Sequence, residues 1–204
     1  MFQEVIDQKA KRLLATLTKS GVIEDFYLAG GTALALQLGH RKSIDLDWFK
    51  QDSFNTDKLK KSLAKLGEIK VESEENDTLN LNLSGMKLSF LGYPYKMLFP
   101  ALVWQNIKIV DYRDIACMKL DAISSRGSKK DFIDLYFILQ SIAWQELFKL
   151  FAPKYKAIKY NKVHILKSLI YFVDADKEPI PIMLKDINWQ KVKSYFKQVI
   201  KEEL

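Results

Sequence analysis

The chain has 204 residues, 48% hydrophobic and 28% charged, which suffices for the core of one medium domain or two small ones. No apolar run reaches the roughly 18–20 residues that cross a bilayer, and the mixed acids and bases of MFQEVIDQKAKRLL do not read as a signal peptide, so no membrane partner and a cytoplasmic location are expected. A single cysteine, Cys117, excludes an internal disulfide and any multi-cysteine metal site.

The net charge of +7 is unevenly spread: residues 1–148 are nearly balanced, whereas 149–204 carry twelve lysines against six acids. Such an asymmetry reads either as a surface for an anionic polymer, often nucleic acid, or as a solvated lysine face.

In chain order, Val5, Ile6, Leu13, Leu14 and Leu17 have helical spacing, and Gly21 stops the run. Phe26–Ala29 reads as a short apolar strand entering Gly30-Gly31, and Thr32–Leu38 as a helix ended by Gly39. A second strand, Ile44–Phe49, alternates Ile44, Leu46 and Trp48 against Asp45, Asp47 and Phe49. Asn55 or Thr56 caps a helix reaching about Leu66, with Gly67 at its C′ position. Strands follow around Glu68–Glu74, Leu79–Leu83 and Met86–Leu91, the last two joined by a Ser84-Gly85 turn, and Ile107–Val110 is extended.

The remainder reads as helices over about Asp111–Ser125, Ser128–Gln140, Ala143–Phe151, Asn161–Val173 and Asn188–Glu203. Strands first and helices after give an α+β class: a small mixed sheet with flanking helices over 1–110, then a helical lobe over 111–204.

One segment, Leu28–Phe49, concentrates the chemistry. A strand that enters Gly30-Gly31 and leaves as a helix brings backbone N–H groups close to a ligand, as a phosphate cradle requires. Asp45 and Asp47, two apart on a strand, project from one face and repel each other without a cation. Mg²⁺ (or Mn²⁺) prefers such oxygens together with substrate phosphates, and metals held this way clamp the oxygens of a nucleotidyl transfer. Ser43, on the same face, can donate to a phosphate. The plainer alternative is an exposed strand face with two solvated acids.

The string Gly30-Gly31-Thr32 … Gly39-His40-Arg41-x-Ser43-x-Asp45-x-Asp47-x-Phe49 resembles the AbiEii/AbiGii family, the nucleotidyltransferase toxins of type IV toxin–antitoxin and abortive-infection systems. The strand, Gly-Gly, helix and Asp-x-Asp order resembles more widely the polymerase-β-like nucleotidyltransferase fold. A second string, Lys119-Leu120-x-Ala122-x₃-Arg126-x₃-Lys130-Asp131-x₂-Asp134-Leu135-Tyr136, is similar to the same family's helical motif.

On their own, Lys119 and Arg126 share a helix face, as do Asp131 and Asp134. They either contact a triphosphate or staple the lobe by ion pairs. Arg41 is a phosphate contact or a partner of the two aspartates, and His40 a structural or phosphate-proximal group. Tyr93, Tyr95, Phe99 and Trp104 stack a base or pack the core.

The resemblance implies an enzyme in which Asp45 and Asp47 hold the metal and Gly30, Gly31, Thr32, Ser43, Arg41, Arg126, Lys130 and Asp134 serve the nucleotide. Lys119 would neutralise the leaving pyrophosphate, and Asp131, with Asp134 as second choice, would orient or deprotonate the acceptor hydroxyl. It further implies an NTP substrate, an RNA acceptor such as the 3′ end of tRNA, and a cognate antitoxin protein.

The wider superfamily usually adds a third metal-binding carboxylate from a later strand, where this chain offers only Asn80, Asn82 and Ser89. The third acid then comes from the helical motif, or two suffice, or the chemistry is impaired. Alternatives of the same fold are transfer to a small-molecule or protein hydroxyl, and a non-catalytic nucleotide- or RNA-binding module.

Overall fold

A computed structural model describes residues 1–203. A short 3-10 turn leads into helix α1, Gln8–Ser20, whose start is set by Asp7 accepting from the Ala10 amide at 2.7 Å. The helix therefore begins after Val5 and Ile6, which are buried ahead of it. Gly21, at φ 73°, ends it in the left-handed conformation. Strand β1, Tyr27–Ala29, runs directly into helix α2, Gly30–Leu38, and Gly39 terminates that helix at φ 62°.

Strand β2, Leu46–Lys50, begins two residues later than the alternation suggests, and Ile44 is 61% exposed instead of joining the core. Helix α3, Thr56–Ala64, is capped by Asn55, which accepts from the Lys58 amide at 2.8 Å. It stops at Lys65, before Gly67, which is not left-handed.

Strands β3 (Ile69–Glu75), β4 (Thr78–Leu83) and β5 (Met86–Gly92) form a meander, with Ser84 and Gly85 both at positive φ in the β4–β5 turn. Strands β6, Leu102–Trp104, and β7, Ile107–Ile109, make a second hairpin. The sequence reading lacks β6, because three residues with Val103 72% exposed carry no alternation. Its signal lay in Gln105-Asn106, both at positive φ in the turn.

The seven strands lie in the order β3-β4-β5-β2-β1-β7-β6. β2 runs antiparallel to β1 and parallel to β5, with Asp47 level with Ala29 on one side and Ser89 on the other. Thus the Asp-x-Asp strand is central, flanked by the Gly-Gly strand and by β5.

Helices α4 (Tyr112–Ser125), α5 (Lys129–Ile138), α6 (Trp144–Lys154), α7 (Lys162–Ser168), α8 (Val173–Lys177) and α9 (Trp189–Glu203) complete the described chain. The expected single helix over 161–173 stops at Ser168, and α8 begins only at its far end, Val173; Phe172, just ahead of α8, packs its ring against Phe132 and Trp189. One contiguous core joins sheet and helices, with Trp48, Phe90, Phe132 and Phe196 fully buried. Among the described residues no helix is long and apolar enough to cross a membrane. The architecture is a mixed seven-stranded sheet flanked and followed by helices, an α+β fold.

Candidate active site

Asp45 and Asp47 bracket Leu46 at the start of β2. Leu46 and Trp48 are fully buried on one side of the strand, and strand alternation sends both carboxylates to the other. They line an open cleft of about 680 Å³ that also takes in the start of α2, the faces of β4 and β5, and α4 with the start of α5.

Gly30 is irreplaceable here on two counts. Its φ is +65°, and a Cβ on it would collide with the Asp47 carboxylate. At Gly31 a Cβ would strike the Arg41 guanidinium. Helix α2 starts without a side-chain cap, leaving first-turn N–H groups free for an anion.

Burial, and then the neighbouring Asp45 charge, raise the Asp47 pKa, although Lys119 and Lys130 pull the other way. Ser89, opposite in register on β5, favours the charged form of Asp47 but cannot replace an acid as a metal ligand. Among the described residues no third His, Cys, Asp or Glu joins the pair in a cluster able to hold an ion. Two hard oxygen donors that repel each other fit a divalent cation whose remaining ligands are phosphate oxygens and water.

Thr32 and Ser43 tie the loop before β2 to α2. The buried Thr32 hydroxyl donates to the Asp45 carbonyl and shares a 2.8 Å hydrogen bond with Ser43. Ser43 reaches the cleft, whereas Thr32 does not line it. Thr32 therefore acts on the Asp45 backbone.

The opposite wall comes from the helical motif. Lys119, on α4, lies 2.8 Å from Asp131 and 2.7 Å from Asp134, both on α5. Burial works against its charge, yet Asp134 and Asp131 hold its pKa above the ordinary lysine value. Asp131 also accepts from Ser128 at 2.6 Å, with Arg126 at 3.4 Å. Burial would raise its pKa, but Lys119 above all draws it down.

Asp134 is fully buried and is not part of the cleft lining. Arg41 grips it with two nitrogens, at 2.6 and 2.8 Å, and His40 Nε2 sits 2.8 Å from the same carboxylate. Against the cost of burial, Lys119 and then Arg41 hold its pKa well below the usual carboxylate range.

Two expectations change here. Arg41 partners Asp134, and neither Asp45 nor Asp47 is its ion-pair partner. Asp134, enclosed by three side chains, offers no face to a nucleotide. His40 is buried, with burial lowering its pKa, and has a structural place.

Of the expected site residues, Gly30, Gly31, Arg41, Ser43, Asp45, Asp47, Lys119, Arg126, Lys130 and Asp131 do share one cleft. Sequence reasoning passed over Asp121, which lines it from α4. The available signal was only its place two residues after Lys119. Tyr93 both lines the cleft and packs, its hydroxyl 2.6 Å from that of Tyr155.

Over residues 12–202 the sequence matches the family described as nucleotidyl transferase AbiEii toxin, type IV toxin–antitoxin system. A protein of Aquifex aeolicus (strain VF5) is 38% identical over 207 residues, covering 98% of both chains.

The fold resembles that of JHP933 from Helicobacter pylori, with a TM-score of 0.55 at 16% identity over 98% of this chain and 94% of that one. It also resembles the antibiotic-resistance factor ANT(2″)-Ia, with a TM-score of 0.56 at 14% identity over 72% and 91% of the two chains. The two structures share the fold, and the family is one of nucleotidyl transferases. The chain belongs to the AbiEii nucleotidyltransferase toxin family of type IV toxin–antitoxin systems.

Proposed function

We propose that this protein transfers a nucleotide from an NTP to an RNA acceptor with the help of Mg²⁺ or Mn²⁺, in the cytoplasm, under the control of a cognate antitoxin protein. The observation that carries the reading is that Asp45 and Asp47, the Gly30-Gly31 turn and Lys119 line one cleft although they come from three parts of the fold.

Asp45 and Asp47 would hold the cation, which when bound supplies charge neutralisation at the phosphates and activates the attacking hydroxyl. The free amides at the α2 start and the Ser43 hydroxyl bind the triphosphate. Lys130 and Arg126, both exposed at the cleft edge, add charge to that end. Lys119, fixed by two carboxylates, would neutralise the charge that develops on the leaving pyrophosphate. Asp131, with its pKa held down, suits orienting the acceptor hydroxyl and Lys119 better than retaining a proton.

RNA is favoured as acceptor by the C-terminal lysines, all of which except Lys154 and Lys193 are exposed. Phosphate contacts of this kind supply sequence-independent affinity. Incubation with α-labelled NTPs, Mg²⁺, total RNA, an aminoglycoside mixture and carrier protein partitions the acceptors. Label is expected in RNA, and EDTA is expected to prevent it. Label confined to the small molecules or to protein would reject the RNA acceptor, while no label with intact NTP binding would reject catalysis.

A further inference from the structure

Five carboxylates line the cleft: Asp45, Asp47, Glu72, Asp121 and Asp131. Asp45 and Asp47 form the pair on β2, Asp131 is held by Lys119 and Ser128, and Glu72 has Lys87 at 3.4 Å. Asp121, like the β2 pair, has no ion-pair partner among the described residues, but it stands apart from that pair on the α4 wall. Among the described residues its half-buried side chain takes part in no ion pair and accepts no hydrogen bond, and burial alone raises its pKa. A partly desolvated carboxylate without a donor costs free energy that a ligand donor would remove.

Its surroundings name the donor. Gly30, Ser43 and Lys119 give the cleft polar lining, whereas Phe49, Leu91, Tyr93, Ile115 and Met118 supply apolar walls. Tyr93 is held rigidly, by its 2.6 Å hydrogen bond to Tyr155 and by edge contacts to Phe49 and Tyr95 at 5.4 and 4.9 Å. The Tyr155 hydroxyl that binds Tyr93 also donates to the Cys117 carbonyl at 3.4 Å, one turn before Asp121 on α4, so the helix that carries this carboxylate packs against the aromatic wall. A flat ring with one hydrogen-bond donor at its edge satisfies both features.

We propose that Asp121 reads the nucleobase, accepting a hydrogen bond from an exocyclic amino group, so that the cleft takes an amino-bearing base over uracil. An ionised carboxylate only accepts hydrogen bonds. Cytosine presents an amino group where uracil presents a carbonyl oxygen, and the latter is repelled. The inference rests on the nucleotidyltransferase reading and adds to it the substrate class.

The test is equilibrium binding of CTP and UTP with Mg²⁺ and no acceptor, and of ATP and ITP as the purine pair, to wild type, Asp121→Asn and Asp121→Ala. Wild type is expected to bind the amino-bearing member of a pair at least about 10-fold more tightly. Asp121→Asn, whose amide also donates, is expected to tighten UTP binding and bring the ratio to within about twofold of unity. Asp121→Ala is expected to weaken CTP and also flatten the ratio.

Equal wild-type binding within both pairs, a preference surviving in both variants, or a uniform loss of all nucleotides would overturn the inference. If labelled transfer dependent on Asp45 persists in any of these cases, only the role of Asp121 falls. If no NTP binds the wild type, the nucleotidyltransferase reading falls with it.

Discussion

Asp47→Asn is expected to lower nucleotidyl transfer about 10³-fold while making the free protein more stable. The first effect is the loss of a metal-binding oxygen, since metal stabilisation is worth several kcal/mol and about 1.4 kcal/mol corresponds to a factor of ten. The second follows from the raised pKa of Asp47, caused by burial and then by Asp45. The folded protein binds this proton more tightly than the unfolded chain, so at neutral pH the ionised group opposes folding and stability rises as pH falls through the folded pKa.

Asparagine removes that charge in nearly the same volume and is expected to add about 0.5–2 kcal/mol. Single-turnover rates and urea unfolding at pH 7 check the two halves. A variant that loses activity together with stability would mean that Asp47 is a structural acid.

Asp134→Ala is expected to destabilise the protein by about 3–5 kcal/mol, because removing one partner of a buried ion network leaves the others uncompensated. Arg41, His40 and Lys119 all converge on this carboxylate, which is fully buried. Its folded pKa is depressed, so its stabilisation is complete above the unfolded aspartate value of about 3.9 and is lost as pH falls through the folded value. The gap between wild type and Asp134→Ala should therefore be widest at neutral pH and shrink below about pH 4. Urea midpoints across pH 3–7 measure it. A loss under 1 kcal/mol at pH 7 would show that the network relaxes around the missing group.

Arg41 and Asp134 show where a sequence stops being informative. Both stand in strings that resemble the family's motifs, and motif membership suggested a role at the nucleotide for each. Their ion pair links positions 93 residues apart, and no spacing rule reports a contact of that kind. By contrast, Asp45, Asp47 and the Gly30-Gly31 turn were legible because their geometry is local: strand alternation, a positive φ and a helix start.

The caps at Asn55, Gly21 and Gly39 were legible for the same reason. Strand β6 and the early end of α7 were not, since three residues carry no alternation and the apolar residues after Ser168, Phe172 among them, pack against other helices outside any helix of their own. Asp121 stayed hidden because the significance of a lone acid on a helix lies in what fails to pair with it.

The most direct test of nucleotidyl transfer is which phosphate follows the product. Purified protein is given CTP or ATP labelled at the α or at the γ phosphate, with Mg²⁺ and total RNA, and the acid-precipitable and free fractions are counted. The α label is expected to enter the RNA while the γ label leaves as pyrophosphate, with both lost in Asp45→Asn. Retention of the γ label on the acceptor, or α label incorporated equally by wild type and Asp45→Asn, would contradict that expectation.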